Sequence, residues 1–89
     1  MSLIDDARTK INEIDKELVR LFEERMKAVS DVLKYKKEHN LEVFDKKREV
    51  ELIEKNLSLL EDESLKEYYL SFFKALLETS KKYQEDHYE

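Results

Sequence analysis

Cysteine, glycine and proline are all absent from the 89 residues. Without cysteine there is no disulfide and no thiolate metal site. Without glycine and proline, hairpins and tight turns lose their usual residues, which favours an all-α chain. The same absence removes the best markers of helix ends, so boundaries must be read from capping residues. No apolar run approaches the roughly 20 residues of a membrane span. Nor does the N-terminus carry a basic segment followed by an apolar one, so a soluble cytoplasmic protein is expected. No internal repeat or low-complexity segment is visible. What the chain has in abundance is charge. Charged residues make up 44 % of it, with a net charge of −5, which works against non-specific binding to nucleic-acid phosphates. The length fits a single domain over residues 1–89 with a modest core, a size at which partners, metals or disulfides often supplement stability.

The organising stretch runs from Leu3 to about Glu38. Ile4, Ala7, Ile11, Ile14, Leu18, Leu21, Arg25, Ala28, Val32 and Tyr35 alternate in steps of three and four. That is the a/d seam of one long helix that buries itself against other helices. Ser2 with Asp5 resembles a capping box at its start. His39-Asn40 is the expected stop, because asparagine tolerates the left-handed conformation that ends helices. A second helix over about 46–60 follows Asp45 as N-cap, with Val50, Ile53, Leu57 and Leu60 as its inward stripe. Ser64 and Glu67 read as a capping box for a third helix over about 64–85, carrying Leu65, Tyr69, Phe72, Phe73, Leu76 and Leu77. Laid end to end, the second and third helices match the first in length, leaving one seam of the long helix open for a second chain in a two-fold dimer.

Arg25 breaks the seam. Its neighbours three and four residues away are Leu21, Phe22, Ala28 and Val29, so no carboxylate on its own helix can pair with it. A guanidinium cannot shed its charge and is costly to bury alone. Either an acid from another helix, with Glu49 the leading candidate, or an anionic ligand must come to it. Lys36 stands three turns further on, about 16 Å along the same side. Arg8 lies roughly 25 Å before Arg25 and can join the same small ligand only from an antiparallel partner helix. Asp45, Arg48 and Glu49 present mixed charge at the start of the second helix, and Ser80 and Gln84 turn the apolar stripe of the third helix polar. Together they suit a compact dianionic organic acid with a hydroxyl. Taken singly, Arg8 and Lys36 read as solvated flank charges and Arg48 and Glu49 as surface residues of a helix start. His39 and His87 lack metal-ligand partners at helical spacing and are read as surface residues.

The set Arg8, Arg25, Lys36, Asp45, Arg48, Glu49, Ser80 and Gln84 resembles the active site of the all-helical (AroQ-class) chorismate mutases. The carrying segments are Ala-Arg-Thr-Lys-Ile-Asn-Glu-Ile-Asp around Arg8 and Leu-Phe-Glu-Glu-Arg-Met around Arg25. Asp-Lys-Lys-Arg-Glu opens the second helix and Glu-Thr-Ser-Lys-Lys-Tyr-Gln ends the third. Each is short; eight positions in order and at the family's spacing make the signal specific. Lys81 departs from the pattern, since the family usually has an apolar residue there. The resemblance implies an intertwined helical homodimer of three-helix chains, one helix long and two shorter, with each pocket borrowing Arg8 from the other subunit. It implies rearrangement of chorismate to prephenate, a step toward phenylalanine and tyrosine, without nucleophile, metal or cofactor. By the same resemblance Arg25 and Ser80 bind the ring carboxylate, and Lys36 with the borrowed Arg8 binds the enolpyruvyl carboxylate. Lys36 and Gln84 donate to the ether oxygen, Glu49 and the Asp45 backbone take the ring hydroxyl, and Arg48 supports that corner. Val32 and Leu77 are apolar walls. Isochorismate pyruvate-lyase chemistry on the same fold is the nearest alternative, and a non-catalytic helical dimerisation module is a third. The chain stops just after the third helix, so no dehydratase or dehydrogenase domain is expected on it.

Overall fold

The computed structural model describes residues 2–89 as an all-helical chain. Helix α1 spans Leu3–Glu38, α2 spans Lys46–Ser58 and α3 spans Lys66–Asp86, with a single 3-10 turn, Glu63–Leu65, before α3. No strand occurs among the described residues. Each boundary has a local chemical cause. The Ser2 hydroxyl accepts from the Asp5 amide at 3.2 Å and opens α1. At the other end Asn40 adopts φ 54°, and the Leu41 amide donates to the Lys36 carbonyl at 2.8 Å. The Asn40 amide donates to the Lys37 carbonyl at 3.3 Å, completing a Schellman motif in which asparagine takes the place of glycine. The Asp45 carboxylate accepts from the Arg48 amide at 3.1 Å and starts α2.

Three details differ from the sequence reading. Helix α2 stops at Ser58, two residues short of Leu60, and Leu59 is left exposed. Ser64 does not cap α3: its amide and hydroxyl both donate to the Asp62 carboxylate, at 3.0 and 2.6 Å, so Asp62 caps the 3-10 turn and α3 grows out of it. On α2 the inward positions are Glu49, Leu52, Ile53, Asn56 and Leu57, continued by Leu60 just past its end, while Val50 is exposed. Ile53, Leu57 and Leu60 face inward as expected, and the covered face extends to Asn56, where the Tyr69 hydroxyl donates to its side-chain oxygen at 3.1 Å.

Nor do α2 and α3 run end to end along α1. Helix α3 packs against both α2 and α1. Its contact with α1 lies on the C-terminal half of the long helix, where Arg25, Met26, Val29, Ser30, Leu33 and Lys36 are partly or fully covered. Residues 3–24 of α1 are exposed throughout. The molecule is accordingly elongated, 56 × 25 × 16 Å. Among the described residues only Leu33, Phe73 and Leu77 are buried apolar side chains. Around them Tyr69 and Phe73 stack at 5.8 Å, with the Arg25 guanidinium 6.0 Å from the Phe73 ring centre. The a/d seam of α1 remains open: Ile4, Ile11, Ile14, Leu18 and Leu21 are about half exposed. It borders an apolar groove of about 480 Å³, lined in part by Leu18, Leu21, Phe22, Phe72 and Leu76.

Candidate active site

The Schellman turn ends α1 just where Lys36 completes its last turn, and the chain returns through residues 41–45 to start α2 beside it. Helix α3 closes the third side. The result is a cleft of about 310 Å³ between all three helices and the α1–α2 connection. From α1 it is lined by Arg25, Val29, Val32 and Lys36; from the connection and the start of α2 by Val43, Phe44, Asp45, Arg48, Glu49 and Leu52. Helix α3 adds Leu77, Ser80, Lys81 and Gln84. Ser80 and Gln84 are 6 % and 8 % exposed, no more than the apolar Leu77 at 9 %, so the polar end of the α3 stripe faces inward.

Two cations are fixed by neutral partners. The Arg25 guanidinium donates through Nη1 to the Ser80 hydroxyl oxygen at 2.6 Å. Ser80 directs its own proton to the Leu76 carbonyl at 3.0 Å, which leaves its lone pairs for Arg25. The Lys36 ammonium donates to the Val43 carbonyl at 2.7 Å and to Gln84 Oε1 at 3.2 Å. With its oxygen held by Lys36, Gln84 turns its NH2 the other way, to the Ser80 carbonyl at 3.4 Å, and one of its two N–H groups stays available. Burial lowers the pKa of both cations. For Arg25 desolvation outweighs the opposing influence of Tyr69, and for Lys36 it outweighs the attraction of Asp45. Among the described residues Arg25 forms no ion pair, and the bridge to Glu49 weighed above is not made. Two partly desolvated cations facing one cleft with only neutral hydrogen-bond partners are chemically suited to take an anion there.

Seven of the eight singled-out positions therefore line one cleft: Arg25, Lys36, Asp45, Arg48, Glu49, Ser80 and Gln84. Arg8 does not. It sits exposed on the uncovered half of α1, and its own chain's cleft is built without it. Three participants escaped the sequence reading. The Val43 carbonyl that binds Lys36 carries no residue-type signal at all. Leu52 was readable, standing three residues after Glu49 on the same face. Tyr88, beyond the expected end of the third helix, donates its hydroxyl to the Leu41 carbonyl at 2.7 Å and ties the end of the chain to the α1–α2 connection. Lys81, the departure from the family pattern, lines the cleft and lies over Phe44, 4.7 Å from its ring centre. Among the described residues no cluster of histidine, aspartate and glutamate is placed to hold a metal ion, and no helix is long and apolar enough to cross a membrane.

Residues 7–85 match the family model for chorismate mutase type II. The T-protein of Haemophilus influenzae is 35 % identical over 54 residues, covering 61 % of this chain and 14 % of that protein. The chain thus spans a small part of the length of that relative. No solved structure matches it significantly. With most of its length matched, and with cationic and neutral polar groups gathered in one interhelical cleft, the chain belongs to the chorismate mutase type II family.

Proposed function

We propose that the chain is a chorismate mutase, converting chorismate to prephenate on the cytoplasmic route to phenylalanine and tyrosine. The observation that carries this reading is the pair of partly desolvated cations, Arg25 and Lys36, hydrogen-bonded only to neutral groups within one cleft. The rearrangement is intramolecular. It breaks the ether C–O bond as a C–C bond forms, with no group transferred to the protein. A catalyst must hold the flexible dianion in its folded reactive shape. It must also meet the negative charge that grows on the ether oxygen.

Each task has candidates in the cleft. Arg25, already oriented by Ser80, takes the ring carboxylate. Lys36 and the free N–H of Gln84 meet the ether oxygen from two sides, their mutual hydrogen bond keeping both donors in place before substrate arrives. Glu49 accepts from the ring hydroxyl with the Asp45 backbone beside it, and Arg48 holds that corner. Val32 and Leu77 pack on the ring. The enolpyruvyl carboxylate, shared by Lys36, needs a further cation. Arg8 of a second copy supplies it when the open seam of α1 pairs with its equivalent in a two-fold dimer. The half-exposed Ile4, Ile11, Ile14, Leu18 and Leu21 and the groove beside them support that assembly.

The test is direct. Purified protein is incubated with chorismate, and chorismate loss and prephenate gain are followed; a parallel reaction with isochorismate is followed for salicylate. Prephenate from the first and no salicylate from the second is the expected result. Salicylate formation would move the assignment to a lyase on the same site, and inertness toward both would reduce the domain to a binding or dimerisation module.

A further inference from the structure

Lys81 is a charge that the roles above leave unused. It lies between Ser80 and Gln84 on α3, four residues after Leu77 and three before Gln84, so these three side chains form one row on the cleft side of the helix. Its side chain is 29 % exposed, whereas that of its neighbour Lys82 is 76 % exposed and reaches into solvent. Two contacts hold it there. Nζ stands 4.7 Å from the centre of the Phe44 ring and 3.6 Å from Glu78 Oε1. Neither is a hydrogen bond, and the Glu78 side chain is 66 % exposed, so that pair is weak and screened. Among the described residues the Lys81 ammonium has no hydrogen-bond acceptor, although Arg25 and Lys36 on the opposite wall both have one. An ammonium resting on a half-exposed ring exchanges that contact readily for a carboxylate, which offers a charge-assisted hydrogen bond.

Charge balance points the same way. The cleft is lined by Arg25, Lys36, Arg48 and Lys81 against Asp45 and Glu49, a surplus of two positive charges in a protein of net charge −5. Lys81 supplies half of that surplus. We propose that Lys81 is a further substrate-binding residue, which leaves the Phe44 ring to take a carboxylate of the incoming dianion at the mouth of the cleft. This rests on the chorismate reading and adds to it a cation from α3 where the family usually has an apolar wall. Binding and capture are its task; the ether oxygen is served by Lys36 and Gln84, so the chemical step does not depend on it.

Steady-state kinetics with chorismate, at low and at raised salt, test this on the wild-type chain and on Lys81→Met, Lys81→Arg and Phe44→Leu. Lys81→Met is expected to raise KM by about tenfold while kcat changes by no more than about twofold. Its kcat/KM should fall less steeply with salt than that of wild type, because one steering charge is gone. Lys81→Arg should recover both KM and the salt dependence, and Phe44→Leu should keep the salt dependence. If Lys81→Met does not fold, Lys81→Gln takes its place in the same comparison. A Lys81→Met enzyme with wild-type KM and salt dependence would overturn the inference. So would a raised KM that Phe44→Leu reproduces with the salt dependence unmoved, since Lys81 would then only prop the ring. A wild-type chain that fails to convert chorismate overturns the underlying site reading, a separate and recognisable failure.

Discussion

Arg25 carries the sharpest consequence at the scale of single residues. Its charge is partly desolvated and faces neutral Ser80, so replacing it by an apolar chain of similar length removes a cost and leaves no buried carboxylate behind. Arg25→Met is expected to keep or gain stability in urea unfolding while chorismate turnover falls by about 100-fold or more. Strong destabilisation with near-normal turnover of the folded fraction would make Arg25 a scaffold residue. Lys36 gives a pH signature. Burial sets its folded pKa below the ordinary 10.5. Below that folded value the ammonium is charged in both the folded and unfolded chain, and its desolvation cost is present in full. As pH rises from there to 10.5 the unfolded chain keeps the proton that the folded chain has lost, so this group's cost fades and its contribution to stability rises. Activity should fall through the same alkaline window, because the donor to the ether oxygen is being lost. From mildly acidic to mildly alkaline pH turnover should stay nearly flat, because Gln84 does not titrate. Gln84→Glu should work mainly in acid, where the carboxyl can donate. A wild-type optimum confined to acid would contradict the role given to Gln84. Arg25, Ser80 and Gln84 were legible because each breaks an apolar register. The Val43 carbonyl was not, since every residue owns one and only the path of the chain decides which carbonyl meets Lys36.

Single elements owe their ends to a few polar side chains, and these were legible to different degrees. Asn40 and Asp45 stand alone as capping residues in their stretches, so the end of α1 and the start of α2 could be read. Around Asp62, Glu63 and Ser64 two cap-forming residues compete, and sequence alone does not rank them; the stronger acceptor, the Asp62 carboxylate, takes the Ser64 amide and hydroxyl. The stripe of α2 was legible at Ile53, Leu57 and Leu60, while Asn56, polar by type, turns inward because Tyr69 arrives from α3 to meet it. The Asn40 turn matters most for function, because it aims residues 41–45 back over Lys36. Asn40→Gly should therefore be tolerated. Asn40→Val should cost about 1–2 kcal/mol, since a β-branched residue is forced into the left-handed region. Urea unfolding of the two variants checks this, and equal stability would mean that the turn does not hold the connection as described.

At the scale of the whole molecule, three buried apolar side chains and a long half-exposed seam leave this chain a small core, which the proposed two-fold association would enlarge. The heptad spacing of α1 made the seam itself legible, and the structure leaves Ile4, Ile11, Ile14, Leu18 and Leu21 on it about half exposed. The way α2 and α3 share the work was not legible, because helix lengths alone do not say that α3 packs between the other two while residues 2–24 go uncovered. That uncovered half carries Arg8, the one singled-out cation that its own cleft does without. The proposed site is therefore composite, and mixing two inactive variants tests it most directly. Arg8→Ala and Arg25→Ala chains are exchanged in equal amounts, heterodimer formation is verified by mass, and chorismate turnover is measured. In a composite site one pocket of each heterodimer collects both lesions and the other is intact, so random exchange should restore roughly a quarter of the wild-type activity. Verified heterodimers that remain as inactive as the parent variants would contradict it, and would place Arg8 in its own chain's pocket or in none.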